Sequence, residues 1–150
     1  MTMTIPQFSL LGFAIWTLVV PLGAVGVYRW SRVLSGAERV NDFSADGTTG
    51  ADWYRRAMRA HANCVENLPV FGALVVLVSL CGVDARWIDA LALTVLVTRM
   101  AQSTVHMGWK ESERSVGLRF TCFFIQFLSM LALGTGLLVV VGVHAVHAAY

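Results

Sequence analysis

The sequence predicts an all-α integral membrane protein in which four transmembrane helices form an up-and-down bundle. The first observation is composition: 57% of the 150 residues are hydrophobic and 13% are charged, whereas about a quarter of the residues of soluble domains carry charge. The second is a mean hydropathy of +0.66. The third is four long apolar segments, at residues 8–28, 54–80, 87–107 and 120–146. Each can cross a bilayer core of about 30 Å as a helix, and the length predicts one domain over residues 1–150.

Net charge and cysteine content argue against a nucleic-acid partner, a metal site and a complete set of disulfides. The formal net charge is +2, and no concentrated basic face indicates a nucleic-acid partner. The three cysteines are far apart, without the spacing of metal ligands, and their odd number excludes a complete disulfide framework. We therefore expect no metal site, and we expect the cysteines to be small buried hydrophobic residues: Cys64, Cys81 and Cys122.

The first span, residues 8–28, contains no charged residue. No basic residue precedes it, so the pattern does not fit a cleavable signal peptide. Pro21 predicts a kink within the helix, and Arg29 and Arg32 end the span at the membrane surface. The polar residues 31–52 then predict one long extramembrane connection, with loop signals at Gly36, Asn41-Asp42, Asp46-Gly47 and Gly50.

The second span begins with a cluster of polar residues that has helical order. At 100° per residue, one stripe about 80° wide carries Arg56, Arg59, Asn63 and Glu66. His61 points roughly the opposite way. A solvated amphipathic turn explains Arg56 well, but it explains Glu66 poorly, because an uninterrupted apolar run follows immediately. Ionisable groups within a membrane are functional candidates by default.

Two further signals belong to the same helix. Asp52 is predicted to cap its N-terminus, because a carboxylate can accept hydrogen bonds from the free amides of the first turn. Pro69 removes a donor within the helix, which predicts a bend and a carbonyl without a donor at Val65.

The third span carries polar residues in its second half, and these again share one face: Arg99, Gln102, Ser103 and His106. The fourth span is uncharged, and Gly134 and Gly136 favour close helix packing. Most basic residues flank the first and third connections, whereas Arg86 stands alone on the other side. The positive-inside tendency therefore predicts that those connections, and any site there, face the cytoplasm, from an inner or plasma membrane in a bacterial cell.

An up-and-down bundle brings the polar segments together at the cytoplasmic side. Glu66 and Arg99 lie inside the membrane and are expected to pair, either as a structural tie or as part of a site. The remaining guanidiniums exceed the carboxylates, which predicts an anionic ligand from the cytosol. Besides the stripe on the second helix, Arg29, Arg114 and Ser115 lie at this level.

The segment Arg59-Ala60-His61-x-Asn63-x-x-Glu66-Asn67, followed by Pro69 and Phe71, resembles the second-helix signature of the MAPEG family. These are the membrane-associated proteins of eicosanoid and glutathione metabolism. The resemblance implies a single MAPEG-like transmembrane domain that assembles as a homotrimer, with glutathione as co-substrate bound between neighbouring subunits near the cytosolic face.

The resemblance also implies roles for individual residues. It places Arg59, His61, Asn63 and Glu66 at ligand positions of the second helix, where Glu66 can hold the glutathione ammonium and Asn63 can serve its amides. Arg99 matches the third-helix arginine, and Arg29 the arginine that ends the first helix. Arg114-Ser115 matches the pair that opens the fourth helix, with Arg114 stabilising the thiolate. Arg56 is not assigned by the resemblance, but its position on the polar stripe makes it a further cation for substrate carboxylates.

The sequence departs from the family pattern at several positions. His106 stands where many members have a tyrosine, and Leu118 stands where some have another. Ala62 replaces a basic residue of one branch, and the spacing from Gly108 to Arg114 is one residue shorter. Neutral His106 can donate a hydrogen bond to sulfur, so it is a candidate catalytic residue beside Arg114.

Two functions from different classes follow as expectations. The first is a microsomal glutathione transferase-like enzyme of detoxification, with peroxidase activity as a further reaction, in which the thiolate attacks a lipophilic electrophile from the bilayer. The alternative is a non-catalytic membrane lipid-binding or scaffold protein of the same fold, which the loss of tyrosine at His106 and Leu118 favours. A small transporter is a third class, but charges near one face alone provide no polar path across the membrane.

Overall fold

The computed structural model describes residues 2–44 and 49–148, and it is built from long helices. Helix α1 covers Ile5–Val20, continues through a π-helical turn at Pro21–Gly26, and is followed by α2 at Val27–Leu34. A short 3-10 helix at Val40–Asp42 lies in the connection to α3, Asp52–Leu80. Helices α4, Arg86–Gly108, and α5, Glu113–Ala148, complete the chain. The loop signal predicted at Asp46-Gly47 lies outside the described residues.

The predicted all-helical membrane bundle is confirmed. By length and composition, the segments Ile5–Leu34, Asp52–Leu80 and Glu113–Val143 are apolar enough to cross a membrane. Helix α4 matches the predicted third span in position but is less apolar, because it carries Asp89, Arg99 and Gln102. It packs against α1, α3 and α5, so its neighbours enclose the side chains of Arg99 and Gln102.

The core lies where α1, α3 and α4 meet, and α5 covers one side of α4. The rings of Phe13 and Phe71 pack at 5.8 Å between centroids. Ile88 and Ala92 of α4 and Leu133 of α5 are buried in the same cluster. This apolar layer fixes the mutual orientation of the helices and thereby the direction in which each polar face points.

Pro21 opens a π-helical turn, Pro21–Gly26, at the position where the sequence predicts a kink. A proline has no backbone N–H, so the carbonyl of Thr17, four residues earlier, loses its helical donor. Nδ1 of His61 on α3 lies 3.1 Å from that carbonyl oxygen. The oxygen can only accept, so Nδ1 carries the proton, and this bond ties α3 to α1. Pro69, in contrast, lies within a continuous α3.

The start of α3 differs from the prediction. The N-cap is Ala51, without a side-chain hydrogen bond, so the capping role predicted for Asp52 is wrong. Asp52 is instead the first helical residue, where its carboxylate forms an ion pair with Arg55 one turn later. A negative charge in the first turn still interacts favourably with the helix dipole.

Stacked aromatic rings fix this end of α3 against α2. The rings of Tyr28 and Tyr54 lie 4.4 Å apart, and Oη of Tyr28 accepts from the backbone N–H of Ala51 at 3.2 Å. Gly50 has a φ of +100°, and a Cβ there would lie 2.9 Å from Cδ1 of Tyr54. Glycine is therefore required for the chain to enter α3 alongside this pair.

Candidate functional site

A polar cavity of about 630 Å³ lies between the start of α3 and the connection from α4 to α5. Cavities that bind small molecules measure about 300–1,000 Å³. From the start of α3 come Asp52, Trp53, Arg55, Arg56 and Arg59, and from the connection Lys110 and Glu111. We call this space the cationic cavity, because four of its side chains are basic and two are acidic.

The ion pairs of the cationic cavity leave most of its positive charge available. Arg55 is paired with Asp52. In the described part of the chain, Arg56, Arg59 and Lys110 have no carboxylate within ion-pair distance. Nε of Arg56 is also buried without a hydrogen-bond partner. An unsatisfied buried donor is costly, so this side of the cavity is suited to an anion that brings its own acceptors.

Two of the predicted site residues, Arg56 and Arg59, line the cationic cavity. Arg29 is engaged elsewhere: its Nε donates to Oη of Tyr54 at 2.8 Å, and its Nη2 donates to the carbonyl of Ser44 at 3.2 Å. In this structure Arg29 holds the first connection against α3, and it does not line the cavity.

The other α3 residues predicted to bind the ligand are not among the lining residues of the cavity. His61 bonds to α1, as described above. The carbonyl of Asn63 accepts from Nδ2 of Asn67 at 2.8 Å. Glu66 lies about two turns beyond Arg59, exposed on the surface of the single chain.

The expected Glu66–Arg99 ion pair does not form within the single chain, since the described residues show no such contact within 4.0 Å. Sγ of Cys64 lies 3.4 Å from Oγ of Ser103, so that side of α3 faces α4. Glu66 follows Cys64 by two residues, or about 200° around the helix, and therefore faces outward. Its charge acts on Arg99 only at longer range.

Arg99 lies inside the bundle with no exposed surface. Its Nη1 donates to Oε1 of Gln102 at 2.6 Å, and its guanidinium lies 5.7 Å from the ring centroid of Phe13. Nε and Nη2 have no hydrogen-bond partner. In the single chain, Arg99 therefore belongs to a buried polar layer of the bundle and is separate from the cationic cavity.

His106 lies behind the cationic cavity near the end of α4. Its side chain is buried, and Nε2 has no hydrogen-bond partner. The charge of Arg119 from α5 acts on the ring, and so do those of Arg59, Glu111 and Arg56 from the cavity. This position connects the imidazole electrostatically to the cavity, although His106 is not a lining residue.

The Arg114-Ser115 pair opens α5. Arg114 is exposed and forms no ion pair in the described structure. Ser115 is buried, and its Oγ accepts from the N–H of Ser112 at 2.9 Å. Oγ of Ser112 accepts from the N–H of Ser115 at 3.2 Å in return. This reciprocal pair caps the helix and fixes the connection that carries Lys110.

Sequence reasoning missed part of the cavity lining. It assigned Asp52 to a cap, and it gave no role at the site to Trp53, Arg55, Lys110 and Glu111. A usable signal was present, since Lys110-Glu111 is a pair of adjacent charges in a connection that an up-and-down bundle places beside the start of α3. Among the residues that the structure describes, no group of three or more potential metal ligands comes together.

An apolar groove of about 660 Å³ runs between α3 and α5. It begins at Asn67 and extends past Leu74 to Cys81 along α3, opposite Phe127, Met130 and Leu138 of α5. Asn67 lies eight residues beyond Arg59, or about 12 Å along the helix. The groove therefore starts about one tripeptide length from the cationic cavity, since three extended residues span about 10 Å.

One of three comparisons with known proteins identifies the family of this chain. The family model of the MAPEG family matches residues 8–139, which is most of the chain. A search of the curated proteins and a search of the solved structures each found no match. The chain therefore belongs to the MAPEG family, and it is an integral membrane protein of glutathione and eicosanoid metabolism.

Proposed function

We propose that the protein is a membrane glutathione transferase that binds glutathione in the cationic cavity and presents its thiolate to lipophilic electrophiles. The observation that carries the proposal is the set of basic side chains without an ion pair at the start of α3, Arg56 and Arg59, facing Lys110 across the cavity. Family membership supports the choice of glutathione among anionic ligands.

The carboxylates of glutathione are the groups that these side chains would bind. A planar guanidinium can form two parallel hydrogen bonds to one carboxylate, and such charge-assisted bonds are stronger than neutral ones. Arg56 and Arg59 lie three residues apart on one helix and therefore on one face. Together with Lys110 they supply enough donors for both carboxylates of the tripeptide.

The same positive charge activates the sulfur. A free thiol has a pKa near 8.5, and lowering that pKa by about two units requires about 2.7 kcal/mol of differential stabilisation. The thiolate then attacks an electrophilic carbon, a carbon–sulfur bond forms, and the leaving group departs with the electron pair of its broken bond. In a peroxidase reaction the thiolate would instead attack a hydroperoxide oxygen, so that a sulfenic acid forms, the O–O bond breaks, and the alkoxide leaves with the electron pair and takes up a proton. A second glutathione would then condense with the sulfenic acid to give the disulfide and water. Arg114 and His106 are the proposed catalytic residues, and proximity of the two reactants supplies much of the acceleration.

The apolar groove is the proposed route for the electrophile, because its lining suits a lipophilic molecule arriving from the bilayer. The proposed assembly is a homotrimer with the site on the cytoplasmic side. Glu66 supports this assembly, since an exposed carboxylate beside Val65 and Val70 within a membrane helix requires a partner that the described part of one chain lacks.

The test is isothermal titration of the detergent-purified protein with glutathione, comparing wild type with Arg59→Ala and Arg86→Ala. The first variant removes a cation from the cavity, and the second removes an exposed cation from the opposite end of the bundle. We expect Arg59→Ala to weaken binding about tenfold or more and Arg86→Ala to leave it unchanged. If the wild type binds no glutathione at millimolar concentration, the proposal fails.

The apolar groove also favours a second candidate, a lipid-binding scaffold without catalytic activity. The two functions differ in chemistry at the sulfur. We expect a transferase to show the ultraviolet band of a thiolate when glutathione is added and to conjugate a chlorodinitrobenzene-type electrophile. Binding of glutathione without either signal would favour the scaffold.

A further inference from the structure

The carboxylates of the cationic cavity are not equivalent. Asp52 is held by Arg55 in an ion pair within the first turn of α3. Glu111, from the connection between α4 and α5, has no ion-pair partner in the described structure and is exposed to the cavity. Glu111 is therefore the carboxylate of the cavity that remains available to a cation brought in by a ligand.

The backbone around Glu111 is fixed from both sides by one side chain. Oγ of Ser115 lies 3.1 Å from the carbonyl oxygen of Lys110, and it accepts from the N–H of Ser112 at 2.9 Å. These are the two peptide groups that flank Glu111. Ser115 is 2% exposed, so the side chain that makes these hydrogen bonds is buried. The backbone that carries the Glu111 side chain is therefore held in place before a ligand binds.

Glu111 lies among the basic residues that are proposed to bind the ligand. It lines the same cavity as Arg56 and Arg59, and its charge acts on His106 together with theirs. A purely anionic ligand entering this space would meet attraction from the guanidiniums and repulsion from Glu111. A zwitterion, with an ammonium beside a carboxylate, would meet attraction from both.

We propose that Glu111 determines ligand specificity by binding the α-ammonium of the thiol peptide while Arg56 and Arg59 bind its carboxylates. This inference rests on the proposed function and deepens it. Glu66, which sequence reasoning considered for the ammonium, lies about two turns from Arg59 and is not a lining residue of the cavity. The assignment predicts that the site selects peptides with a free amino group over those in which it is blocked.

The experiment compares two ligands on the full-length protein in detergent. Glutathione carries the ammonium, and N-acetylglutathione carries a neutral amide in its place. Binding of each is measured by titration calorimetry for wild type, Glu111→Gln, Glu111→Asp and Glu113→Gln. Glu113 is the matched control, because it is an exposed carboxylate two residues away that does not line the cavity.

We expect Glu111→Gln to weaken glutathione binding about five- to tenfold, since a charge-assisted bond in a partly exposed site is lost. Its affinity for N-acetylglutathione should stay the same or rise, because the repulsion between Glu111 and this anion is removed, and Glu111→Asp should recover most of the glutathione affinity. Glu113→Gln should bind both ligands as wild type does. Because the Glu111 side chain makes no hydrogen bond in the described structure, the variant is expected to fold, which thermal unfolding checks.

Two results would overturn the inference while leaving the proposed function intact. One is glutathione binding by Glu111→Gln at wild-type strength. The other is an equal loss for both ligands, which would indicate a general change in the cavity rather than recognition of the ammonium. A wild type that binds neither ligand would overturn both the inference and the proposed function.

Discussion

Pro21 and His61 form a linked pair of residues on different helices. Pro21 leaves the Thr17 carbonyl without a donor, and His61 supplies one from α3. The helical wheel correctly predicted that His61 points away from the Arg59 stripe, but the family resemblance assigned it to the ligand. Whether His61 binds a ligand or bonds to another helix depends on the Thr17 carbonyl of α1, which is 44 residues away in sequence.

His61→Ala is expected to lower the free energy of unfolding by about 0.5–2 kcal/mol, because the carbonyl of Thr17 is left without a partner within the bundle. Thermal unfolding in detergent measures the change. In a Pro21→Ala background the same substitution should cost less, since residue 21 can then donate its own N–H to Thr17. An equal loss in both backgrounds would contradict the linkage.

At the level of whole elements, the contact between α4 and α5 depends on small residues at defined positions. A Cβ on Gly136 would lie 2.6 Å from Cη2 of Trp87, whereas a Cβ on Gly142 meets no atom within 4 Å. The sequence predicted close packing around Gly134 and Gly136 from their small size. It did not identify Trp87 as the side chain against Gly136, because the register of two helices is a tertiary property.

Gly136→Ala is expected to destabilise the protein by about 1–3 kcal/mol, because the indole of Trp87 must move. Gly142→Ala is the control, and it should be neutral or slightly stabilising, since alanine favours the helix by about 1 kcal/mol where space allows. Melting temperatures of both variants in the same detergent provide the comparison. Equal melting temperatures for the two variants would show that the indole moves without cost.

At the scale of the whole molecule, the outward face of α3 combines apolar side chains with one carboxylate. Val65, Val70 and Val76 are exposed there, and so is Glu66. These apolar side chains would suit lipid, but an unpaired carboxylate would not. We therefore expect this surface to contact a second copy of the chain.

We expect the wild type to be a homotrimer by native mass spectrometry in mild detergent, and Glu66→Gln to shift the population toward monomer by removing an intersubunit charge. Asp84→Asn serves as the control, because Asp84 is exposed near the opposite end of α3. A monomeric wild type, or identical distributions for wild type and Glu66→Gln, would contradict this role.

The sequence by itself determined the helical membrane bundle, the approximate spans, the polar stripe on α3 and the family. These follow from hydropathy, from a period of 3.6 residues and from a local motif, all of which are properties of one segment at a time. The stripe also identified Arg56 and Arg59, both of which line the cationic cavity.

Only the tertiary structure decided which partner each polar side chain has. Arg29 bonds to Tyr54, Arg99 bonds to Gln102, and Glu66 faces outward instead of meeting Arg99. It also decided that Glu111 completes the cavity, since that residue is 52 positions from Arg59 in sequence. The physical reason is that a buried charge is satisfied by whichever donor or acceptor packing brings within about 3 Å, and packing is set by contacts between segments that no local pattern encodes.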